Sequence, residues 1–420
     1  MDKFVIHGGK TLNGTVTISG AKNATLALMP AALLAGGTYR LSNTPILRDV
    51  ATMSGLLSSM GMKITHSDHT LILDTAGVNR QEAPYAFVKK MRASIYVLGP
   101  LVGRYGRAKV SLPGGCAWGP RPVNLHIEGI RKLGATVELE RGYIVAKAGK
   151  LTGAHIRFDV SSVGATGNVM MAAVLARGTT VIENAAIEPE ITALARFLQS
   201  MGARIDGLGT NRLEIEGVDT LHPADVETIP DRIEAGTFLV AAAMTGGTVT
   251  LERVSPQDFS AVMEKLEDAG CLVSSEQTRV TVKGSAHPTA VDVMATIYPG
   301  FPTDMQAQWI ALMAIAIGTS VVTDTIYADR FKHVPELVRL GADIELKENA
   351  AVVRGVQRLT GAKVMSTDLR ASASLILAGL VADGVTEVLR VYHIDRGYEA
   401  IEKKLRSLGA DIERVSTDEF

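Results

Sequence analysis

The sequence predicts an α/β protein made of six similar repeats, arranged as two domains of three repeats each. Two observations predict this fold class. A short signature, in which a glycine follows Leu, Met or Ala and precedes a strand, recurs six times at intervals of roughly 70 residues. A helix that is apolar on nearly all sides recurs in each interval, and a strand rich in β-branched residues follows it.

Six glycines mark the ends of six amphipathic helices. The stretch before each glycine carries apolar residues at helical spacing, as in "DVATMSGLLSSM" and "YEAIEKKLRSL". A glycine in this place is typical of a C-terminal cap, because it adopts the left-handed backbone that ends a helix. The six predicted capping residues are Gly61, Gly134, Gly202, Gly270, Gly341 and Gly409.

The other six helices have no polar stripe. They lie in "ATLALMPAALLAGG", "SIYVLGPLVGRYG", "ATGNVMMAAVLARG", "AGTFLVAAAMTGG", "MQAQWIALMAIAIG" and "ASASLILAGLVADG". A helix that is apolar all round is buried, and runs of this length fall short of the roughly 18 residues of a membrane span. We therefore expect core helices and no membrane insertion.

One repeat thus reads as strand, apolar helix, strand, amphipathic helix, strand and strand. Such a repeat cannot bury its own sheet and helix, so several must assemble around a shared helical interior. The last repeat is short, and the N-terminal stretch "FVIHGGKTLNGTVTISG" supplies strands to complete it. The sequence predicts a first domain at residues 22–229 and a second domain at residues 1–21 plus 230–420.

Composition narrows the function classes. The chain has 420 residues, of which 46% are hydrophobic, and its 43 basic and 44 acidic residues give a net charge of −1. This balance removes the electrostatic case for general nucleic-acid binding. The N-terminus "MDKFVIHGG" has no signal-peptide pattern, so a cytoplasmic location is expected. Two cysteines and no Cys/His cluster of metal-ligand spacing predict neither a disulfide nor a zinc site.

Polar residues stand at the start of each apolar helix. Asp and Ser at these places are typical N-caps, and capping is the expectation for each one taken alone. Basic residues there are disfavoured by the helix dipole, so Lys22, Arg92 and Arg370 are better explained as partners of bound anions. The whole set is Lys22, Asn23, Arg92, Ser162, Val163, Gly164, Asp231, Arg232, Asp304, Asp368 and Arg370.

A second basic set lies near the starts of the amphipathic helices. Its recurrence at matched places in the repeats predicts one anionic site shared by the two domains, and arginine suits a bidentate grip on carboxylate or phosphate. The set is Arg48, Arg121, Arg330, Lys332 and Arg396. Three nearby histidines have no assignable nucleophile and are interpreted as structural: His126, His333 and His393.

One cysteine lies in an unusual place. Cys116 stands in "SLPGGCAWGPRP", a loop rich in glycine and proline, where a thiol has no packing reason to be present. From the residues alone, a functional thiol and a chance surface cysteine remain equal alternatives. The other cysteine, Cys271, lies in the strand that follows Gly270 and is interpreted as structural.

Ordered motifs along the whole chain carry a resemblance. The chain resembles the UDP-N-acetylglucosamine 1-carboxyvinyltransferase family of enolpyruvyl transferases through "SGAKNA", "MRASIYVLGPLV", "LPGGC" with "RPVNLHI", "SVGAT", "ENAAIEPEI", "PDRIEAGTFLVAAA", "FPTDMQAQ", "RFKHVPEL", "TDLRASASLILAGL" and "YHIDRGYE". The resemblance implies two inside-out α/β barrels, each of three repeated units. It implies transfer of the enolpyruvyl group of phosphoenolpyruvate to the 3-hydroxyl of UDP-N-acetylglucosamine with release of phosphate, and no metal or organic cofactor.

The resemblance also implies a cellular role and site residues. The role is the first committed step of peptidoglycan precursor synthesis, with links to cell-wall biogenesis, cell shape, the cell cycle and cell division, and the family is the target of fosfomycin. Cys116 would deliver a proton to the methylene carbon of phosphoenolpyruvate, and Asp304 would take the proton of the sugar hydroxyl. Lys22, Arg121 and Arg396 would hold the anions of phosphoenolpyruvate, with Arg330 and Arg370 as further candidates. The implied substrate contacts also include Asn23, Arg92, Pro122, Val123, Asn124, Leu125, Ser162, Val163, Gly164, Asp304, Ile326 and Asp368.

Two alternatives and two departures accompany the resemblance. The sibling activity is that of 5-enolpyruvylshikimate-3-phosphate synthase, which shares the fold but uses no loop cysteine; "LPGGC" and "GAKNA" argue against it. A non-enzymatic repeat scaffold would place its binding residues on one open face. Family members often carry a basic residue where this chain has Val160, and Trp118 adds bulk behind Cys116. One diphosphate contact and the packing of the loop are therefore not expected to follow from the resemblance.

Overall fold

The computed structural model of the protein describes residues 1–112 and 123–419. The chain forms two compact units, called here the first unit, Gly20–Ile229, and the second unit, Met1–Ser19 with Pro230–Phe420. Each unit has its own hydrophobic core. The backbone passes from one unit to the other at Ser19–Gly20 and again at Ile229–Pro230.

Each unit contains three four-stranded sheets in the part of the chain that the structure describes. In every sheet, the first strand pairs parallel with the second, and the remaining pairs are antiparallel. In spatial order, the sheets of the first unit are Val226–Glu227, Thr38–Ser42, Thr70–Asp74, Lys63–Ser67; Glu82–Ala83, Arg107–Ser111, Tyr143–Lys147, Thr136–Glu140; and His155–Arg157, Thr179–Glu183, Arg212–Glu216, Arg204–Asp206.

The second unit repeats this pattern. Its sheets are Asn13–Thr17, Thr248–Glu252, Arg279–Lys283, Leu272–Ser275; Val293–Ala295, Thr319–Asp324, Ala350–Arg354, Asp343–Lys347; and Lys363–Met365, Val385–Leu389, Asp2–His7, Asp411–Ser416. The six repeats of an α/β fold that the sequence predicts are confirmed, three in each unit.

The apolar helices form the interior of each unit, as predicted. Residues Ile233 to Met244 of one such helix are all buried, because no face of that helix carries a polar stripe. The inner helices pack against one another within their unit. Their bounds are Lys22–Ala31 with the 3₁₀ turn Ala32–Leu34, the 3₁₀ helix Arg92–Val97 with Leu98–Tyr105, Val163–Ala173, Arg232–Thr245, the 3₁₀ turn Thr303–Met305 with Gln306–Met313, and Leu369–Val381.

The amphipathic helices lie outside the inner ones and end at the predicted glycines. All six glycines have a positive φ between 89° and 103°, which closes the last turn at no steric cost. The outer helices are Arg48–Ser59, Asn124–Lys132, Pro189–Ser200, Ser260–Asp268 after the 3₁₀ helix Pro256–Phe259, Val334–Arg339, and Ile401–Ser407 after the 3₁₀ helix Val391–Arg396. A short additional helix covers Tyr85–Val88.

The N-terminal strands differ in one respect from the prediction. Asp2–His7 completes the last repeat, where it pairs with both Val385–Leu389 and Asp411–Ser416. Asn13–Thr17 instead pairs parallel with Thr248–Glu252 and starts the fourth repeat. The reason is that each repeat needs a short parallel strand before its inner helix, and no segment directly before Arg232 supplies one to the second unit.

The described ranges contain neither a membrane-spanning helix nor a metal-binding group of side chains. Within residues 1–112 and 123–419, no helix has both the length and the apolar character needed to cross a bilayer. The same ranges hold no group of three or more His, Cys, Asp or Glu side chains arranged to bind a metal ion.

Candidate active site

Three inner helices begin at polar residues that act as N-caps, as predicted. The Asp231 carboxylate accepts hydrogen bonds from the amides of residues 233 and 234, both at 2.8 Å. The Asp368 carboxylate accepts from the amides of residues 370 and 371, at 2.8 and 3.0 Å. Ser162 accepts from the amide of residue 165 at 3.3 Å. These side chains satisfy backbone donors that the helix itself leaves open.

Asp304 has a different role, and the capping prediction is wrong for this residue. It lies inside the 3₁₀ turn Thr303–Met305, where Pro302 occupies the cap position. Its carboxylate instead receives Arg330 Nη2 on Oδ1 at 2.5 Å and Arg370 Nη2 on Oδ2 at 2.6 Å. The cations predicted to bind an external anion thus hold a carboxylate of their own chain in this structure.

The three side chains form a charged cluster, called here the Asp304 cluster: Asp304, Arg330 and Arg370. Both arginines are buried, whereas the Asp304 side chain is 21% exposed. Burial lowers the pKa of Arg370, but the Asp304 charge and Tyr398 outweigh it, so the pKa lies above the ordinary value. Arg370 therefore stays charged, and hydrogen bonds from two guanidinium groups favour the ionised carboxylate.

A buried aspartate supports the Asp304 cluster from the neighbouring strand end, and sequence reasoning missed it. Asp324 is fully buried; its Oδ2 accepts a 2.6 Å hydrogen bond from Thr303, whose hydroxyl oxygen accepts Arg330 Nη1 at 2.7 Å. Its Oδ1 accepts from the amides of Ile326 and Tyr327 at 2.9 and 2.8 Å. Asp324 thus links Arg330 to the loop that carries Ile326. An Asp that ends a β-branched strand and begins a turn is the signal that could have identified it.

Other predicted residues of the second unit lie near Arg330 or Arg370 in the sequence. Asp368 is buried, and burial raises the pKa of its carboxyl despite the cap hydrogen bonds. Arg396 ends the 3₁₀ helix Val391–Arg396 and is half-buried. Next to Arg330, His333 is 1% exposed, and burial together with the Arg330 charge lowers its pKa to about 3. A neutral, buried His333 agrees with its structural interpretation.

In the first unit, Lys22 starts an inner helix and has a protein anion beside it. Its Nζ lies 3.7 Å from the carboxylate of Asp49, which belongs to the outer helix of the same repeat. Lys22 and its neighbour Asn23 are half-buried. This Lys22 amine thus lies at a helix N-terminus, where backbone donors also favour anions.

A second group of predicted residues surrounds His126 in the first unit. Asn168 Nδ2 donates to His126 Nδ1 at 2.8 Å, and the edge of the ring contacts the Gly164 backbone so closely that a Cβ there would meet it at 3.0 Å. Burial, followed by the Arg92 charge, lowers the pKa of His126 to about 3. His126 thus brings the helix start at Ser162–Gly164 and the region of Arg92 together as a neutral packing residue.

The segment after the loop begins the outer helix Asn124–Lys132. Val123 and Leu125 are half-buried and Asn124 is exposed. Three predicted residues, Cys116, Arg121 and Pro122, lie outside the described residues, as do Trp118 and the loop prediction itself. Cys271 is described: it is 4% exposed, and burial raises the pKa of its thiol, in agreement with its structural interpretation.

Comparison with known proteins gives consistent matches over the whole chain. A family model described as EPSP synthase (3-phosphoshikimate 1-carboxyvinyltransferase) matches residues 6–405. A protein of Chloroherpeton thalassium named UDP-N-acetylglucosamine 1-carboxyvinyltransferase is 60% identical, with 100% of this chain and 99% of the relative covered. A protein of the same name from Chlorobium limicola is 58% identical, with 100% of both chains covered.

Solved structures share the fold. The enolpyruvyl transferase NikO from Streptomyces tendae superimposes with a TM-score of 0.89 at 26% identity, over 99% of both chains. An EPSP synthase from Acinetobacter baumannii has a TM-score of 0.78 at 19% identity, over 99% of this chain and 100% of that one, which shows the shared fold. The chain belongs to the EPSP synthase family of 1-carboxyvinyltransferases. It is therefore an enzyme of the enolpyruvyl transferase class.

Proposed function

We propose that this enzyme transfers the enolpyruvyl group of phosphoenolpyruvate to the 3-hydroxyl of UDP-N-acetylglucosamine and releases phosphate. The observation that carries the choice of acceptor is the 60% identity, over the full chain, to a protein named for that reaction. The charged side chains at the inner helix starts supply groups that such a reaction needs. These are a carboxylate able to accept a proton and cations able to hold a phosphate and a carboxylate.

In this proposal, Asp304 accepts the proton of the sugar hydroxyl as the hydroxyl oxygen attacks C2 of phosphoenolpyruvate. Its carboxylate oxygens already accept hydrogen bonds, at 2.5 and 2.6 Å, so the side chain is held in a defined orientation. Cys116 donates a proton to C3, which becomes a methyl group. The product of addition is a tetrahedral phosphate ketal.

The second step reverses the proton movements at C3. A proton leaves the methyl carbon, the bond between C2 and the phosphate oxygen breaks, and phosphate departs with the bonding electrons. The product is the enolpyruvyl ether of the sugar nucleotide. Positive side chains and helix N-termini stabilise the anionic groups throughout, which is the electrostatic task that dominates many transferases. In this assignment, Lys22, Arg121, Arg330, Arg370 and Arg396 hold the anions of phosphoenolpyruvate.

The remaining candidate residues bind the sugar nucleotide. In the first unit, Ser162 and Gly164 begin an inner helix, whose N-terminus suits a diphosphate, and Arg92 adds a positive charge. In the second unit, the loop that Asp324 fixes presents Ile326. The full proposed set is Asn23, Arg92, Arg121, Pro122, Val123, Asn124, Leu125, Ser162, Val163, Gly164, Asp304, Ile326 and Asp368.

A second acceptor has a specific observation in its favour. The family model is described as 3-phosphoshikimate 1-carboxyvinyltransferase, so shikimate 3-phosphate is the alternative acceptor. Phosphate release from phosphoenolpyruvate, measured with each acceptor in turn, separates the two. We expect release with UDP-N-acetylglucosamine and none with shikimate 3-phosphate. The reverse result would overturn the proposal.

The proposed reaction places the enzyme at the first committed step of peptidoglycan precursor synthesis, in the cytoplasm. Loss of activity would then affect cell-wall biogenesis, cell shape, the cell cycle and cell division. Fosfomycin is the proposed inhibitor, and Cys116 is the proposed site of its alkylation. The cellular role is tested in a bacterial strain whose own gene for this transferase is replaced by the gene for this protein. The strain should grow only while the protein is active.

A further inference from the structure

A buried polar cluster joins the three inner helices of the second unit. One of its four side chains carries a charge, a guanidinium, and the other three are neutral. All four are buried in the core of the unit. Three of them come from three different inner helices, and the fourth follows the 3₁₀ helix Val391–Arg396. The four residues are Thr237, Gln308, Arg370 and Tyr398.

The hydrogen bonds of this cluster take one direction when Thr237 donates to a carbonyl of its own helix. The Thr237 hydroxyl donates to the carbonyl of Ile233 at 2.8 Å, so its oxygen accepts from Tyr398 Oη, also at 2.8 Å. Arg370 Nη1 at 3.3 Å and Gln308 Nε2 at 3.1 Å then donate to the Tyr398 oxygen, and Gln308 Nε2 lies equally close to the Thr237 oxygen. The phenol thus uses its one proton and both lone pairs. Burial raises the pKa of Tyr398, so it keeps this proton at neutral pH.

Two of these side chains also contact Asp304. Arg370 donates from Nη2 to the carboxylate at 2.6 Å, and Gln308 Nε2 donates to the main-chain carbonyl of Asp304 at 3.0 Å. A guanidinium is a rigid planar fork, so fixing Nη1 on Tyr398 also fixes the direction in which Nη2 points. The phenol oxygen therefore determines where Arg370 presents its donor to Asp304.

We propose that Tyr398 is a positioning residue, which orients Arg370 against the Asp304 carboxylate through a phenol oxygen that never touches substrate. This inference rests on the proposed function, in which Asp304 accepts the proton of the sugar hydroxyl. Thr237 supports this role, because its oxygen accepts the hydrogen bond from the Tyr398 hydroxyl. The lone pairs of the phenol oxygen are then left for Arg370 and Gln308. Misplacement of a reacting group by about 1 Å costs on the order of 100-fold in rate.

A Tyr398→Phe variant isolates the phenol oxygen from the packing of the ring. The ring of Tyr398 is 2% exposed, and the Arg370 guanidinium carbon lies 5.8 Å from its centroid, a contact that phenylalanine retains. Tyr39 provides a matched control in the first unit. It is also fully buried, and its hydroxyl donates to the carbonyl of Ala35 at 3.2 Å. Tyr39→Phe therefore removes the same atom from a comparably buried site in the first unit, where the neighbouring charge is Arg104 and the hydroxyl bonds a main-chain carbonyl.

The experiment measures kcat, KM, the thermal midpoint and a crystal structure for each variant. We expect Tyr398→Phe to lower kcat by about tenfold to 100-fold, with the KM for UDP-N-acetylglucosamine within about twofold of the wild type. Thr237→Val should also lower kcat, whereas Thr237→Ser, which keeps the hydroxyl, should have the kcat of the wild type. Tyr39→Phe and Tyr398→Phe should lower the thermal midpoint by similar amounts, but Tyr39→Phe should leave kcat unchanged. In the Tyr398→Phe crystal, Arg370 Nη2 should have left its position beside Asp304.

The proposal would be overturned by a Tyr398→Phe kcat within twofold of the wild type, or by a crystal structure in which the Arg370 contact to Asp304 is unchanged. A kcat loss of the same size in Tyr39→Phe would also overturn it, since the effect would then follow stability. If the wild-type enzyme turns over neither acceptor, the proposed function fails. The crystal structures then decide the positioning role by themselves.

Discussion

Arg370 and Asp304 form a 2.6 Å ion pair between two neighbouring inner helices of the second unit, although 66 positions separate them in the chain. Arg330 completes the pair from the other side of the carboxylate. Breaking a buried ion pair by removing one partner is costly, because it leaves the other charge uncompensated. Substitutions at Asp304 therefore affect the surrounding arginines as well as the chemistry.

Asp304→Asn tests the assignment of the proton acceptor. Asparagine keeps the size and the hydrogen-bond reach of the side chain but lacks the basic oxygen, so turnover should fall by roughly 100-fold or more. Binding of UDP-N-acetylglucosamine, measured by calorimetry, should be largely retained. Asp292→Asn, a change at an exposed strand-edge carboxylate of the same unit, is the control and should keep full turnover. Near-normal turnover of Asp304→Asn would remove Asp304 from the mechanism.

Cys116 is tested as an acid and as a nucleophile. As an acid, it can be replaced by another acidic group, so Cys116→Asp should keep some activity and Cys116→Ser should lose nearly all of it. As a nucleophile, its sulfur should be alkylated by fosfomycin in the presence of sugar nucleotide. Mass spectrometry locates the adduct, with buried Cys271 as the internal control. An adduct on Cys271, or a fully active Cys116→Ser enzyme, would disprove this role.

Thr303→Val tests the link between Asp324 and Arg330. Valine has nearly the same shape but removes the hydroxyl that bonds Asp324 at 2.6 Å and accepts Arg330 at 2.7 Å. We expect the free energy of unfolding to fall by about 1–3 kcal/mol, because buried polar groups lose their partner. We also expect a lower kcat/KM for phosphoenolpyruvate. Thr303→Ser retains the hydroxyl and should behave as the wild type. Equal stability and activity of both variants would show that the link has no effect.

We expect the protein to lose stability in mild acid because two of its histidines are buried in the neutral form. Burial lowers the pKa of His126 and of His333 from 6.5 to about 3. Below pH 6.5, the unfolded chain therefore binds protons that the folded chain does not, so stability falls as the pH falls towards 3. Each histidine contributes up to about 1.4 kcal/mol per pH unit to this slope.

Denaturant unfolding between pH 7 and pH 4 measures the slope. His126→Asn and His333→Asn should each reduce the dependence of the unfolding free energy on pH, whatever their effect at pH 7. His66→Asn changes an exposed histidine and should leave the slope unaltered. Slopes identical to the wild type in both buried variants would show that these histidines do not remain neutral in the folded protein.

Much of the fold could be predicted because its signals are local. The cap glycines, such as Gly61 and Gly409, require a positive φ that the sequence reveals directly, and the structure gives both a φ of about 100°. Apolar helices without a polar stripe have only one stable location, in the core. The separate destinations of Asp2–His7 and Asn13–Thr17 could not be predicted, since strand pairing over hundreds of residues leaves no local mark.

The candidate site could be predicted as a set of residues but not as a set of contacts. Asp304 and Asp368 look alike in the sequence, because each precedes an apolar helix, yet one binds arginines and the other caps a helix. The Pro302 that occupies the cap position is a local difference that could have separated them. Asp324 and Tyr398 were missed because their importance lies in partners that are not adjacent in the chain: Thr303 lies 21 positions before Asp324, and Arg370 lies 28 positions before Tyr398.

Identification of the reaction product is the most direct test of enolpyruvyl transfer to UDP-N-acetylglucosamine. Purified enzyme is incubated with phosphoenolpyruvate and UDP-N-acetylglucosamine, and the sugar nucleotide is analysed by mass spectrometry and proton NMR, with Asp304→Asn as the negative control. We expect a sugar nucleotide that has gained one enolpyruvyl group at the 3-oxygen, together with an equal amount of phosphate. An unchanged sugar nucleotide, or an enolpyruvyl group formed only on shikimate 3-phosphate, would contradict it.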